Sequence, residues 1–262
     1  MTIARLLLAN AVLVALCFAM LWLIAIRIRD VSFVDSWWAL GMVVLAVASF
    51  VLTGPPSPRK ILLLALCAAW GLRLGVYLLW RWRRNGPDRR YQTMAGKAQS
   101  ERGMSFARWS LTAVFALQGP LQFVVALPVQ LGQLGSSAIS PLGLAGAALA
   151  VVGILFETIG DAQLARFKSD PANRERVLDS GLWRFTRHPN YFGDACVWWG
   201  LFLIAAQSPI GLWALPGPIL LTFLLTRWSG MPTTEGRMRR KKPGYEDYVR
   251  RTPAFVPWLP RA

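Results

Sequence analysis

The stretch LLLANAVLVALCFAMLWLIAI, residues 6–26, decides the fold class of this chain. It holds no charged residue and has about 20 residues, the length at which a helix crosses a hydrocarbon core of roughly 30 Å. Only one basic residue, Arg5, precedes it, and no small-residue cleavage site follows, so it is expected to stay as a membrane helix and not to be removed as a secretory signal. Counting this run, seven apolar segments follow one another, near 3–26, 31–52, 59–80, 109–131, 141–163, 191–207 and 209–228.

The composition supports a membrane protein. Hydrophobic residues make up 55% of the 262 residues and charged residues only 16%, with a mean hydropathy of +0.40. The three cysteines lie inside apolar segments without paired spacing, so neither a disulfide framework nor a metal site is expected. The sequence therefore predicts an all-α integral membrane protein with about seven transmembrane helices, forming one membrane domain over residues 1–262.

The net charge of +16 has a simple distribution. All Lys and Arg residues except Arg5, Arg59, Lys60 and Arg73 lie in 27–29, 81–108, 166–187 and 227–261, which seven spans would place on one side. Because basic loops stay on the cytoplasmic side, the N-terminus is expected outside and the C-terminus in the cytoplasm. The charge needs no nucleic-acid partner, and we expect a multi-pass protein of the bacterial inner (cell) membrane.

Five ionisable residues fall inside or at the ends of the apolar segments. Such residues cost on the order of 3 kcal/mol each in a bilayer, so they line a cavity or pair with one another. They are Asp35, Arg73, Glu157, Asp161 and Asp194. Helical spacing places Glu157, Asp161 and Lys168 on one face, which predicts a cavity that opens to the cytoplasm. The alternative is structural ion pairing, for example between Asp35 and Arg73.

The most specific motif is RHPNYFGD, residues 187–194, which runs directly into the sixth apolar segment. Pro189 suits the first turn of a helix, whose free N–H groups and positive dipole end attract anions. With Arg184 and Arg187 beside it, the motif predicts a seat for phosphate. The alternative is an ordinary interfacial helix start with a Tyr anchor and snorkelling arginines.

This motif and its neighbours resemble the steroid 5α-reductase family, most closely its bacterial relatives of unassigned substrate. The chain is similar, more distantly, to the sterol C14 and Δ7 reductases. The resemblance runs from about residue 145 to the C-terminus, through ETIGDAQ (157–163), the basic link from Lys168 to Arg176, RHPNYFGD, Glu235 and Arg239, GYEDY (244–248) and PWLP (257–260).

The resemblance implies a seven-helix bundle that binds NADPH from the cytosol, with residues 141–262 as the cofactor-binding region and residues 1–135 as the substrate-side helices. Some residues match family positions that contact the dinucleotide: Asp161, Lys168, Arg176, Asn190 and Asp194. Others lie within matching blocks: Arg187, His188, Tyr191, Glu235, Arg239 and Tyr248. Carboxylates accept hydrogen bonds from ribose or carboxamide groups, and Lys or Arg neutralise phosphates.

The implied reaction is hydride transfer from NADPH to a carbon–carbon double bond activated by a conjugated carbonyl, in a lipid-like substrate drawn from the bilayer lipids. The steroid reductases carry a Gln-Glu pair on their second helix, where this chain has Asp35. This departure argues against a steroid itself and leaves steroid-like and other enone lipids as the expected substrates. We expect Asp35, protonated by burial, and Tyr77 as the catalytic pair that stabilises the enolate oxygen. An ion pair with Arg73 would instead keep Asp35 ionised.

Two other functional classes stay open. Isoprenylcysteine carboxyl methyltransferases share an Arg-His-Pro-x-Tyr-x-Gly element but bind S-adenosylmethionine; Asp194 after the Gly and the Glu157–Asp161 helix end favour the reductase. A non-catalytic membrane subunit or transporter would have no dinucleotide affinity. The clustering of charge at one end of the helices, and not along a path through them, argues against transport.

Overall fold

The computed structural model describes residues 1–135 and 138–261, and within these ranges every regular element is helical. The α-helices are α1 Ile3–Ile28, α2 Val34–Leu52, α3 Pro58–Asn85, α4 Arg89–Arg102, α5 Phe106–Ser110, α6 Ala116–Val125, α7 Leu127–Leu131, α8 Pro141–Ser169, α9 Pro189–Ala205, α10 Pro209–Leu212, α11 Pro216–Phe223, α12 Met231–Lys241 and α13 Tyr245–Arg251. Two π-helical turns, Leu111–Phe115 and Leu224–Trp228, and two 3₁₀ turns, Pro171–Asn173 and Gly181–Arg184, complete the described chain.

Five helical stretches are long and apolar enough to cross a membrane, which makes this an all-α membrane protein. They are Ile3–Ile28, Val34–Leu52, Pro58–Asn85, Pro141–Ser169 and Pro209–Lys241. Helices also occupy the two other predicted segments, but α9 has only 17 residues and the region of α5 to α7 is interrupted. The number of seven spans therefore stays a prediction.

Ser-Pro pairs begin the spanning helices at one end of the bundle. Ser57, Ser140 and Ser208 each accept a hydrogen bond from a backbone N–H of the first turn, and each is followed by proline. Proline fits there because its missing N–H would have had no partner within the helix. The basic C-termini of α3 and α8 lie at the opposite end of the bundle from these Ser-Pro starts. The N-termini of α2 and α9 lie at that basic end as well.

Glycines allow the closest helix contacts. At two crossing points of α8 and α9, a Cβ placed on Gly153 would lie 2.5 Å from the carbonyl oxygen of Gly193, and one on Gly146 would lie 2.6 Å from that of Gly200. Gly71 gives α3 a similar approach to α2, 2.9 Å from the carbonyl oxygen of Ala39. Small residues at helix crossings are typical of membrane bundles, where backbone proximity replaces the hydrophobic effect as the source of packing energy.

The two cations at the Ser-Pro end have local structural partners. The Arg59 guanidinium donates hydrogen bonds to the carbonyls of Leu134 and Gly135 at 2.7 and 2.9 Å. The Lys60 ammonium donates to the carbonyls of Thr53 and Pro55 at 2.9 and 3.1 Å. Both side chains are therefore used to hold the connections between helices, and the functional chemistry has to be sought at the opposite, basic end.

Candidate functional site

A cavity of about 790 Å³ opens at the basic end of the bundle, where α3, α8, α9, α12 and α13 meet. The three long basic segments predicted to share one side all contribute to its wall. Its basic lining residues are Arg81, Arg90, Lys168, Arg174, Arg176, Arg187, Arg237, Lys241 and Lys242. Its acidic lining residues are Asp35, Asp88 and Asp170. The lining thus has a surplus of six positive charges, together with apolar patches such as Leu78, Trp82 and Leu164.

Most of the residues singled out from the sequence lie on this wall. They are Asp35, Lys168, Arg176, Arg187, His188, Asn190, Tyr191 and Tyr248. These residues come from α2, α8, the loop after α8, the start of α9 and α13, and so are brought together only by the fold. Tyr77, Asp161, Asp194, Glu235 and Arg239 lie outside the lining, and each has a definable position around it.

Asp161 belongs to an ion-pair cluster beneath the cavity. The Arg73 guanidinium reaches Glu157 at 2.7 Å and Asp161 at 2.8 Å, and so ties α3 to α8. The indole N–H of Trp70 donates to the same Glu157 oxygen at 2.8 Å, and the amide of Asn190 donates to Asp161 at 3.4 Å. Asn190 thereby connects the cluster to the cavity wall.

The alternative ion pair between Asp35 and Arg73 does not form. Among the ion pairs of residues 1–135 and 138–261, Arg73 has Glu157 and Asp161 as its partners. Asp35 instead accepts a hydrogen bond from the hydroxyl of Tyr91 at 2.8 Å and lies 3.4 Å from the Arg90 guanidinium. The reason is rotational: the inward face of α3 at Arg73 is turned towards α8, away from the start of α2.

Tyr91 was not foreseen from the sequence, because the segment 81–108 was interpreted only as a basic loop. The structure folds part of it into α4, whose N-cap Asp88 accepts a hydrogen bond from the Arg90 N–H. Burial, followed by the nearby Asp35 carboxylate, raises the pKa of Tyr91. Burial alone would raise the pKa of Asp88, but its contacts with Arg90 outweigh burial and hold that pKa below its usual value. The Asp88 cap was the available signal for this helix.

Tyr77, the other predicted catalytic residue, lies on α3 outside the cavity lining. Its ring stacks on Trp80, with 6.3 Å between ring centroids, and the Arg81 guanidinium lies 5.9 Å from the Tyr77 ring. Such stacking of a cation on an aromatic face holds both side chains in place. The structure therefore brings Asp35 together with Tyr91 and not with Tyr77.

Asp194 lies one turn inside α9 and is 8% exposed. Its Oδ1 atom has no hydrogen-bond partner within the described residues, and the same holds for the indole N–H of Trp198 one turn further on. The Trp198 ring packs edge-to-face on Trp70, with 5.4 Å between ring centroids, and so forms an aromatic contact between α3 and α9. A buried carboxylate oxygen without a donor is costly, which favours a ligand group that donates to it.

Side chains of the C-terminal region bind the RHPNYFGD motif on the side that faces away from the cavity. Glu235 accepts from Arg187 at 3.0 Å and lies 3.1 Å from the His188 Nε2 atom. Burial lowers the pKa of His188, a shift that Glu235 partly opposes. The ring of Tyr191 stacks parallel on His188 at 5.2 Å. Glu235, predicted as cofactor-binding, therefore orients the motif from outside the cavity lining.

Two further residues predicted to bind the cofactor, Arg239 and Tyr248, make contacts that fix the C-terminal helices against the motif. Arg239 pairs with Glu246 at 2.7 Å, which joins α12 to α13, and lies outside the lining. The hydroxyl of Tyr248 donates to the carbonyl of Trp183 at 2.6 Å and so fixes α13 against the motif, while the Tyr248 side chain also faces the cavity. The tail is thus a structural part of the site wall.

Several basic lining residues have no individual signal in the sequence. Arg237, Lys241 and Lys242 were counted only as part of the basic tail, although Arg237 and Lys241 stand four residues apart and share one face of α12. That spacing was visible in the sequence. Which of the crowded cations 237–242 faces the cavity was not, because it depends on how α12 packs against α13 and the loop after α8.

Comparison with known proteins gives one result. The family model described as "Protein of unknown function (DUF1295)" matches residues 21–252, which include all the elements around the cavity. No curated protein and no solved structure matches the chain. The match covers most of the chain, and the protein belongs to the family described as "Protein of unknown function (DUF1295)".

Proposed function

We propose that this protein is a membrane reductase that transfers a hydride from NADPH to an activated carbon–carbon double bond of a lipid-like substrate. The observation that carries the proposal is the lining of the cavity, with nine Lys or Arg side chains against three Asp. NADPH carries a pyrophosphate and a further phosphate, and Lys and Arg are the side chains that bind phosphates. S-adenosylmethionine carries a sulfonium cation, which the same lining would repel.

The residues present fit such a dinucleotide. The volume of about 790 Å³ falls within the range of cofactor pockets. Lys168, Arg237 and Lys241 line the cavity and would hold the phosphates. The buried Asp194 oxygen lies outside the lining, so a carboxamide or ribose group would donate to it only by extending past the cavity wall. NADPH supplies the hydride when bound, so the chain itself has to orient the reactants and exclude water.

Arg73 would act as a positioning residue in this scheme. By pairing with both Glu157 and Asp161 it fixes the two carboxylates between α3 and α8, beside the start of α9. Asn190 donates to Asp161 and also lines the cavity, so it would be fixed by the ion-pair cluster and would contact the bound cofactor. Preorganised polar groups of this kind cost little to rearrange during a reaction.

Asp35 and a tyrosine would face the carbonyl oxygen of the second substrate. The sequence favours Tyr77 for this role. Tyr91, like Tyr77, is not among the cavity-lining residues, but its hydroxyl donates to Asp35 at 2.8 Å, which favours Tyr91 as the phenol that acts with Asp35. The apolar lining residues Leu78, Trp82 and Leu164 would contact the hydrocarbon part of the substrate. This apolar wall at the end of a membrane bundle supports the proposal of a lipid-like substrate.

The proposal includes an orientation, with seven spans, an external N-terminus and the cavity facing the cytoplasm of a bacterial inner membrane. The basic segments that line the cavity support it, because cytoplasmic loops are enriched in Lys and Arg. Green fluorescent protein fused to the C-terminus should fluoresce, and the same fusion after Gln207 should not. The reverse pattern would overturn the orientation.

Binding of NADPH to the detergent-solubilised protein tests the function. Energy transfer from the tryptophans to the nicotinamide should report saturable binding. Arg237→Ala should weaken it about tenfold, because a hydrogen bond to a charged group contributes about 1.5 kcal/mol or more. Arg240→Ala is the matched control: it removes an exposed arginine of the same helix that does not line the cavity, and binding should be unchanged.

The same measurement separates the reductase from the methyltransferase. If NADPH gives no saturable transfer while S-adenosylmethionine raises the thermal stability of the protein, the reductase assignment is wrong. If neither compound binds, the cavity does not serve a nucleotide cofactor and the proposal also fails.

A further inference from the structure

The last residues of the described chain, 253–261, follow a fixed path along the segment before α9. The backbone N–H of Arg187 donates to the carbonyl of Pro253 at 2.9 Å, and the hydroxyl of Thr186 donates to that of Phe255 at 2.8 Å. The N–H of Trp258 donates to the carbonyl of Phe185 at 2.9 Å. These bonds hold the tail in one conformation, so the direction of its side chains is defined.

The side chains that this tail presents to its surroundings are large and apolar. Val256 is 62% exposed, Trp258 71% and Leu259 69%. Beside them lies a groove of about 300 Å³ lined by Phe156, Phe185, Pro257, Trp258 and Leu259. A contiguous apolar surface of this kind marks a contact with a membrane or another apolar partner.

The groove is continuous with the apolar outer face of α8, a helix that can span the membrane. Phe156 belongs both to α8 and to the groove, and Val152, Leu155 and Ile159 on the same helix are each about half exposed. The Phe192 ring connects α8 with the tail, because it packs on Phe156 at 5.4 Å and on Phe255 at 5.9 Å. Whatever covers this face of α8 therefore also reaches the groove.

The position and chemistry of the tail indicate that membrane lipid covers the outer face of α8 and the groove. Trp side chains are enriched where hydrocarbon meets headgroups, and the groove meets α8 at Phe156, on the basic side of the centre of the apolar segment 141–163. Arg184, next to Phe185, and Arg261, after the apolar tail, are exposed at the polar margin of the patch. A charged margin beside an apolar surface matches the boundary between headgroups and acyl chains.

We propose that residues 256–259 insert into the leaflet at the basic end of the bundle and that the groove between Phe156, Phe185 and Trp258 binds an acyl chain of a membrane lipid. This inference does not depend on NADPH or on the reaction. It gives the C-terminal tail a second role besides its support of the RHPNYFGD motif, because the bonds to Thr186 and Arg187 then connect the site wall to the membrane surface.

Spin labelling in lipid nanodiscs tests the proposal. In a variant without native cysteines (Cys17→Ser, Cys67→Ala, Cys196→Ala), a nitroxide is placed at Trp258→Cys. Two controls carry it at Leu155→Cys, on the apolar face of α8, and at Glu246→Cys, whose side chain is 59% exposed on α13. Collision rates with oxygen and with a water-soluble nickel chelate are measured for each.

The label at 258 should show the high oxygen and low nickel accessibility of the label at 155. A pattern equal to that at 246 places the tail in water and overturns the proposal. Low accessibility to both reagents, or dipolar broadening between labels, means that protein or a second copy of this chain covers the groove, which also overturns it.

A second measurement covers the case in which the cysteine-free protein does not fold. Wild type and Trp258→Phe are reconstituted with phosphatidylcholine brominated in its acyl chains. The difference between their fluorescence quenching isolates Trp258, and bromine should quench this difference signal strongly. A difference signal that brominated lipid leaves unchanged would contradict acyl-chain contact.

Discussion

At the scale of single residues, Arg73 holds the inner cluster together. Its guanidinium pairs with two carboxylates on α8, and its side chain is 22% exposed. Removal would leave Glu157 and Asp161 close together without a cation, and buried charges that lose their partner are strongly destabilising. Arg73 and the Trp70 indole, which donates to Glu157, together make the polar contact between α3 and α8, and Arg73 is its cation.

Arg73→Ala should lower the free energy of unfolding by about 3 kcal/mol, at the low end of the range for a broken buried pair because Arg73 is partly exposed. Arg83→Ala, which removes an exposed arginine nearly three turns later on the same helix, should change it by less than about 0.5 kcal/mol. Denaturant unfolding in detergent, followed by circular dichroism, compares them. Equal effects of the two substitutions would show that the cluster does not stabilise the fold.

The single histidine, His188, offers a clean titration. Its pKa lies below the usual 6.5 because it is buried, so the unfolded chain binds a proton first and stability should fall as pH decreases below about 6.5. Above that pH the group contributes no pH dependence. Glu235→Gln removes the carboxylate that favours the protonated ring and should lower the pKa further. NMR of the histidine ring measures both values; a pKa that rises in the variant contradicts this arrangement.

The two candidate phenols can be separated by substitution. Tyr91→Phe should lower kcat about 100-fold, the loss typical of one hydrogen-bond donor to a developing oxyanion. Tyr77→Phe should leave the ring stacking intact and change kcat little. NADPH consumption with a long-chain α,β-unsaturated ketone as probe measures both. A large loss in Tyr77→Phe with full activity in Tyr91→Phe would restore the assignment favoured by the sequence.

The sequence predicted the membrane fold and placed Glu157, Asp161 and Lys168 on one helical face, because hydropathy and the 3.6-residue period are local properties. It could not decide the partner of Arg73, since that depends on the relative rotation of α2, α3 and α8. It also missed Tyr91, because the Asp88 cap of α4 lies within a strongly charged stretch that shows no apolar period. Local patterns in the sequence therefore predicted the helices and their faces, but they did not predict which helices contact one another or through which residues.

At the scale of elements, the contact of α8 with α9 positions the site. Gly193 lies one residue before Asp194 and three after Asn190, and its Cβ position is 2.6 Å from the carbonyl oxygen of Gly153. A methyl group there can be accommodated only if the two helices separate. The same glycines that allow close packing therefore fix the depth of the polar residues at the start of α9.

Gly193→Ala should destabilise the protein by about 1–3 kcal/mol through overpacking and should weaken NADPH binding. The matched control is Gly96→Ala in α4, where nothing lies within 4 Å of the added methyl group; it should be neutral or slightly stabilising, because alanine favours helix. Unfolding and binding are measured on both. Unchanged NADPH affinity in a destabilised Gly193→Ala would show that the crossing does not position the site.

The interrupted region from α5 to α7 shows why the fourth predicted span differs from the others. The apolar run 109–131 predicted one helix, but a π-helical turn occupies Leu111–Phe115 and α6 ends at Val125, shortly before Pro128. Pro128 lies in the first turn of α7, where proline is favoured, so a break before it was foreseeable, although α6 itself continues through Pro120. The π turn, which contacts α1, has no signal in the sequence.

At the scale of the whole molecule, one electrostatic feature and one membrane feature lie at the same end of the helix bundle. Three basic segments far apart in the chain surround a single cavity at one end of the bundle. The apolar helices place that end at a membrane surface, where the proposed dinucleotide could enter from water and the proposed lipid-like substrate from the bilayer. The positive-inside rule and the phosphate-binding proposal thus draw on the same arginines and lysines.

The most direct measurement is a cryo-electron microscopy map of the protein in lipid nanodiscs with saturating NADPH, beside a map without it. The account predicts added density for a dinucleotide inside the cavity, with its phosphates beside Lys168, Arg237 and Lys241 and its nicotinamide end towards Asp161 and Asp194. Maps that show the same unfilled cavity with and without NADPH would contradict the central claim.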